Sequence, residues 1–254
     1  MSNFLKLAAL FLTAAMFVAL TPAFSYDMKP IVIQLAPTGA GATQSVILTN
    51  THDVPIAIEV RAFTRDQKPD GTENRTPEDD DLIITPPQMV IAPKASQSFK
   101  VRWIGDPVPA KELAFRLVSS QLPIKFRDEK KGDVSVNVSM NYRYEAALYV
   151  VPPQSKPSAT LTGIAPVKDE NGETWLEVKI LSDGTRRAIL DKPVLVVRPQ
   201  NGGTPVTLEG EQVAELANQN ILVGNERVIR LPWPEGIAPG PVEGEFRTEY
   251  TVFN

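Results

Sequence analysis

From residue 134 the sequence reads Val134-Ser135-Val136-Asn137-Val138-Ser139-Met140-Asn141-Tyr142-Arg143-Tyr144-Glu145-Ala146-Ala147-Leu148-Tyr149-Val150. Every even position is apolar, whereas the odd positions from Ser135 to Glu145 are Ser, Asn, Ser, Asn, Arg and Glu. A period of two is the signature of a strand with one wet face and one covered face. At about 3.3 Å per residue such a strand would extend beyond about 50 Å, several times the common strand length. Part of its apolar row is therefore expected to outrun the core of its own domain. An uncovered apolar edge invites aggregation, so its retention implies a use, such as pairing with another protein.

Outward from this segment, alternation persists in Ser45–Thr49, Ile56–Phe63 and Ser98–Trp103, and turn residues separate the runs. Asn50-Thr51-His52-Asp53, Pro69-Asp70-Gly71, Pro86-Pro87, Ala92-Pro93-Lys94 and Gly105-Asp106-Pro107 punctuate at short intervals. This spacing predicts an all-β sandwich and argues against βαβ units. Helical composition is confined to Glu209–Asn218, and Gly210 weakens even that. Val151–Ser158 carries three prolines, which fix φ and lack a donor, so no central strand can cross it. Beyond it strands restart at Thr174–Leu181, Val194–Arg198, Val228–Leu231 and Glu245–Phe253. The expected organisation is a domain over 26–152, a hinge over 153–158 and a second sandwich over 159–254.

The N-terminus reads as an address. Lys6 precedes the apolar run Leu7–Leu20, and Ala23 and Ser25 are small residues placed for cleavage before Tyr26. Residues 1–25 are thus expected to be a secretory signal peptide, with no stable membrane insertion, because the apolar run is short for a bilayer span. The remaining chain carries 25 basic and 30 acidic groups, a net charge of -5, which excludes nucleic acid as a natural partner. An exported chain of this size with no Cys needs a large apolar core in place of disulfides, which favours the periplasm.

The same inventory removes most chemistry. With no Cys and His52 as the single His, thiol nucleophiles, Cys zinc sites and multi-histidine metal sites are excluded. Gly39–Gln44 lacks the third glycine and flanking elements of a dinucleotide fingerprint. Asp66–Gly71 fails as a calcium loop, with Lys68 at position three and Pro77 at position twelve. Glu78–Asp81 reads as a solvated loop, His52 as a turn residue without a nucleophile motif, and Trp103, Trp175 and Trp233 as packing residues. No catalytic residue, metal or cofactor is expected.

The order of motifs resembles the periplasmic chaperones of the chaperone/usher pilus systems, the PapD-like family, across about Lys29–Asn254. Ser45-Val46-Ile47-Leu48-Thr49-Asn50 resembles the family's second strand, and Ile83-Ile84-Thr85-Pro86-Pro87 with Ile91-Ala92-Pro93 resembles its Thr-Pro-Pro and later Pro turn. Phe99-Lys100-Val101-Arg102 resembles the next strand and Leu113–Pro123 the sixth. The resemblance implies two immunoglobulin-like β-sandwich domains in tandem. It also implies donor-strand complementation of pilin or fimbrial subunits and delivery to an outer-membrane usher.

Aligned at Pro152, the donor row falls on Val136, Val138, Met140 and Tyr142. The family's better-known branch anchors the subunit's terminal carboxylate with an Arg on the first strand and a Lys on the seventh. Here the first strand, expected at Ile31–Thr38, has no Arg, and the Lys position aligns with Ala147. Arg116 and Arg143 resemble the basic groups of a non-classical branch and are expected to form the anchor, with Lys100 and Arg102 as substitutes. Pairing of free copies through the apolar row is left open. The competing reading is a passive two-domain immunoglobulin-like binding or structural module, in which the long strand is internal.

Overall fold

A computed structural model describes residues 26–124 and 141–253. The N-terminal half is built from β1 (Tyr26–Lys29), β2 (Val32–Leu35), β3 (Thr43–Asn50), β4 (Ile56–Thr64), β5 (Asp66–Gln67), β6 (Glu73–Asn74), β7 (Leu82–Thr85), β8 (Gln88–Ile91), β9 (Ser96–Trp103), β10 (Leu113–Leu122) and β11 (Arg143–Val150). One sheet has the order β1-β3-β9-β7 and the other β2-β11-β10-β4-β8, with β5 and β6 forming a separate hairpin. The C-terminal half comprises β12 (Thr160–Lys168), β13 (Thr174–Leu181), β14 (Ala188–Pro199), β15 (Val206–Leu208), β16 (Asn220–Ile221), β17 (Glu226–Pro232) and β18 (Val242–Tyr250). There β12-β13-β17 form one sheet, while β14 carries β15, β16 and β18. The chain is all-β, and its two halves are immunoglobulin-like sandwiches.

Alternation explains why each half closes. Val46 and Leu48 of β3, Phe99 and Val101 of β9, and Ile58, Val60 and Ala62 of β4 all point into one apolar cluster. A second cluster gathers Leu176, Val178 and Ile180 of β13 with Leu195 and Val197 of β14. Polar ties reinforce the first sandwich. The Tyr26 hydroxyl on β1 donates across to the Ser119 carbonyl on β10 at 2.7 Å, and burial pushes this phenol up to about 12. Asn50, fully buried at the end of β3, donates from its amide to the carbonyls of Val54, Ile91 and Ala92 and accepts from the His52 amide. These bonds saturate a corner where the turn's own carbonyls would otherwise be buried without donors.

Three sequence expectations change. The first strand expected at Ile31–Thr38 is β2, shortened to Val32–Leu35 and running parallel to β11, and a further strand, β1, precedes it on the other sheet. Pro30 separates them because it has no N–H to extend a ladder. Within the described residues the long strand spans Arg143–Val150, with Asn141 and Tyr142 preceding it outside regular structure. In Glu209–Asn218, Gly210–Val213 forms a 3-10 turn and no α-helix. Among the described residues, no helix is long and apolar enough to cross a membrane.

Candidate functional site

Strand β11 is held on one edge by β10 along its whole length, from Ser120↔Arg143 to Leu113↔Val150. On the other edge β2 joins only from Ala147 to Val150, and the Ile31 carbonyl accepts the Ala147 N–H at 2.9 Å. N-terminal to Ala147, β10 is the one strand paired with β11 among the described elements. The even face changes along the same direction. Val150, Leu148 and Ala146 are fully buried, whereas Tyr144 and Tyr142 are half-buried and only flank the core. Tyr142 lies beside His52, ring centroids 5.7 Å apart. Val136, Val138 and Met140, the remainder of the expected donor row, lie outside the described residues.

Next to this edge the chain exposes apolar surface. Ile31, Val32 and Ile47 are exposed, and with Met28 and Pro30 they line a depression of about 760 Å3 where β1 gives way to β2.

The outward face of β10 and β11 is charged, and the structure places the two expected anchor residues apart. Arg116 stands opposite Ala147 and Arg143 opposite Ser120, four residues along the strand, or about 13 Å. Arg116 binds Glu73 through two bonds, Nε at 2.9 Å and Nη2 at 2.6 Å. Arg143 is exposed and pairs with Glu145 at 3.3 Å. Between Arg143 and Arg61, a shallow pocket of about 190 Å3 is lined by Glu59, Phe63, Val118 and Ser120. Arg61 also reaches Asp79 at 3.6 Å. Lys100 and Arg102 lie on β9 in the opposite sheet, facing solvent.

Sequence reasoning missed Glu73, which is the hub of this face. Its carboxylate accepts from Arg65 at 2.6 Å, from Arg116 and from Arg75 at 2.9 Å, and Arg75 reaches on to Glu145 of β11 at 2.7 Å. Burial alone would raise its pKa, but hydrogen bonds from Arg116 and Arg65 outweigh it and hold the group at about 2. A depressed carboxylate pKa stabilises the fold above its ordinary value near 4.5, and the stabilisation disappears as pH falls toward 2. Stability is therefore expected to drop by on the order of 3 kcal/mol between pH 5 and pH 2 from this group. Denaturant unfolding at both pH values, with Glu73→Gln showing a clearly flatter decline, checks it; equal declines would refute it.

A second missed feature closes the base of β11. Tyr149 is buried although its position belongs to the outward row, because the C-terminal sandwich covers it. Its hydroxyl accepts from Arg65 at 2.7 Å and from the Asn220 amide at 3.0 Å, and the Arg187 guanidinium lies 3.7 Å over its ring. Arg187 pairs with Glu112 at 2.7 Å, and both side chains are almost fully buried. The signal was present: the odd row turns apolar at Ala147 and Tyr149, where a second body must cover it. His52 stands in its turn as expected, its pKa lowered by partial burial and then by Lys94. Trp103 and Trp233 pack on the two cores.

With this geometry, the comparisons with known proteins are decisive for kinship. Residues 32–156 match the sequence profile of pili and flagellar-assembly chaperones, PapD N-terminal domain. The chain belongs to the PapD-like chaperone family. Solved structures agree at the level of the fold. The class 5 fimbriae chaperone CfaA superposes with a TM-score of 0.55 at 17% identity, covering 90% of this chain and 100% of that one. A chain of the CsuC–CsuE chaperone–tip adhesion subunit complex of Acinetobacter baumannii gives 0.55 at 16% identity, covering 88% and 97%. The E. coli chaperone DraB gives 0.50 at 18%, covering 89% and 91%. No curated protein sequence matches the chain significantly.

Proposed function

We propose that this protein is a periplasmic chaperone that holds pilin or fimbrial subunits by lending them the apolar row that precedes β11, Val136, Val138, Met140 and Tyr142. It then passes them to an outer-membrane usher. The single observation that carries this reading is the coincidence on β11. Its even face passes from fully buried to partly buried beyond Ala146, beside the point at Ala147 where β2 stops covering its edge. A subunit lacking one strand would add there by main-chain hydrogen bonds, while its pockets take alternate side chains. Each buried side chain contributes about 1.5–3 kcal/mol as an upper figure. The apolar depression at Ile31, Val32 and Ile47 extends the same contact.

For the subunit's terminal carboxylate we propose Arg143 with Arg61, which face one pocket across Val118 and Ser120. The expected partner Arg116 would have to abandon Glu73 to take part. The exchange needs no metal, nucleotide or catalytic residue, because a better-fitting subunit extension can replace the donated strand.

The test is co-expression of the full chain with a pilin subunit encoded beside it, followed by co-purification from the periplasm. Val138→Asp with Met140→Asp places two charges in apolar pockets and is expected to weaken capture at least about a hundredfold. Capture equal to that of the unaltered protein would overturn the reading and favour a passive binding module.

A further inference from the structure

The hairpin of β5 and β6 faces two bodies. Its first arm and turn bond to the C-terminal sandwich at a series of positions. The Gln67 side chain donates to the Asn220 carbonyl at 2.9 Å and accepts the Leu222 N–H at 3.0 Å. The Asn225 amide donates to the Gln67 carbonyl. The Pro69 carbonyl accepts the Val228 N–H at 2.9 Å and Arg227 Nε at 3.2 Å. Gly71, at φ 90, lies directly under the Arg227 guanidinium, where an added Cβ would come within 2.5 Å of it. The second arm carries Glu73, which clamps arginines from the end of β4, from β10 and from beyond β6.

We propose that the hairpin Asp66–Asn74 is a strut that fixes the angle between the two sandwiches, with Glu73 as its positioning residue. Domain interfaces within one chain are small and polar, and relative motion is their default. A covalent connector at Val151–Ser158 leaves rotation open. Directional bonds spread from Asn220 to Val228 remove that freedom, provided that the hairpin itself cannot swing. Glu73 prevents the swing, because three arginines on one almost fully buried carboxylate define the hairpin's orientation on β4 and β10. Gly71 serves the other arm by letting Arg227 lie flat on the turn. The arrangement also ties the N-terminal part of β11 through Arg75 and Glu145, so the angle and the strand are set together.

The chain has no Cys, so two introduced cysteines carry spin labels without interference. Labels at the exposed positions Val90 and Glu170, one on each sandwich, report the inter-domain distance by pulsed dipolar spectroscopy. The parent protein is expected to give one narrow distribution. Glu73→Gln and Gly71→Ala are each expected to broaden it about twofold, since the hairpin no longer restrains its side of the interface and the Glu112–Arg187 pair alone leaves rotation about itself. Gly71→Ala alters an exposed turn and leaves both cores intact, so it keeps the proposal testable if Glu73→Gln fails to fold. Leu216→Ala, buried in the second core, lowers thermal stability but is expected to leave the width unchanged. Unchanged widths in folded Glu73→Gln or Gly71→Ala, or equal broadening in Leu216→Ala, would overturn the proposal.

Discussion

Glu112→Ala is expected to destabilise the protein by about 3–5 kcal/mol, because it leaves the Arg187 guanidinium buried without its counter-charge. The Glu112 and Arg187 side chains are 1% and 2% exposed, 2.7 Å apart, and Arg187 is further enclosed by the Tyr149 ring. Arg186 stands 3.7 Å from the same carboxylate, so removal of Glu112 leaves two adjacent cations facing each other. Burial and the neighbouring Arg187 already lower the Arg186 pKa. Water reaches this point poorly, and the surviving charge has little choice but to open the contact between the sandwiches. Denaturant unfolding measures the loss. The double variant Glu112→Leu with Arg187→Met is expected to recover most of it, since an apolar pair of similar volume has no charge to desolvate. A loss below about 1 kcal/mol in the single variant would show that the charge finds water in the native state.

The second large effect separates two positions on one row. Leu148→Ala is expected to cost about 2–5 kcal/mol, through lost transfer energy and the cavity left among side chains that cannot collapse onto it. Leu148 is fully buried in the N-terminal core. Tyr142→Ala, six residues earlier on the same face, removes a larger side chain, yet a smaller cost is expected because Tyr142 is only partly buried and packs at the margin of the core. Thermal or denaturant melts of the two variants side by side give the comparison. Were Tyr142→Ala to cost as much as Leu148→Ala, the row would belong to the protein's own core at both ends. Its role as a lent strand would then lose its basis.

Much of the fold was legible because alternation is a local property. Thr174–Leu181 is a strand over the residues the pattern marked, and Ile56–Phe63 lies within β4 with one residue to spare. The misreadings have a common cause. Strand β12 escaped notice because Gly163 and Pro166 interrupt its pattern, yet it is an edge strand, where a bulge and a missing N–H are tolerated. Strand β14 is longer than Val194–Arg198 because Lys192 adopts φ 46 beside a register shift, letting Pro193 sit within an otherwise continuous strand. The expected first strand shortens to β2, and β1 before Pro30 joins the other sheet, a decision made by two ladders distant in sequence.

The candidate site divides along the same line. The apolar row, its unusual regularity and the family of the chain follow from residue order, since side-chain direction in a strand depends only on parity. Which arginine is available does not. Arg116 and Arg143 look alike in sequence, and only the approach of Glu73, 43 residues before Arg116, commits one of them. The point beyond which the row is only partly buried, after Ala146, and the burial of Tyr149 under the second sandwich were likewise decided by packing. A sequence specifies which faces are apolar, but Coulomb pairing and coverage depend on distances between segments far apart in the chain, and those exist only once the sandwiches have formed.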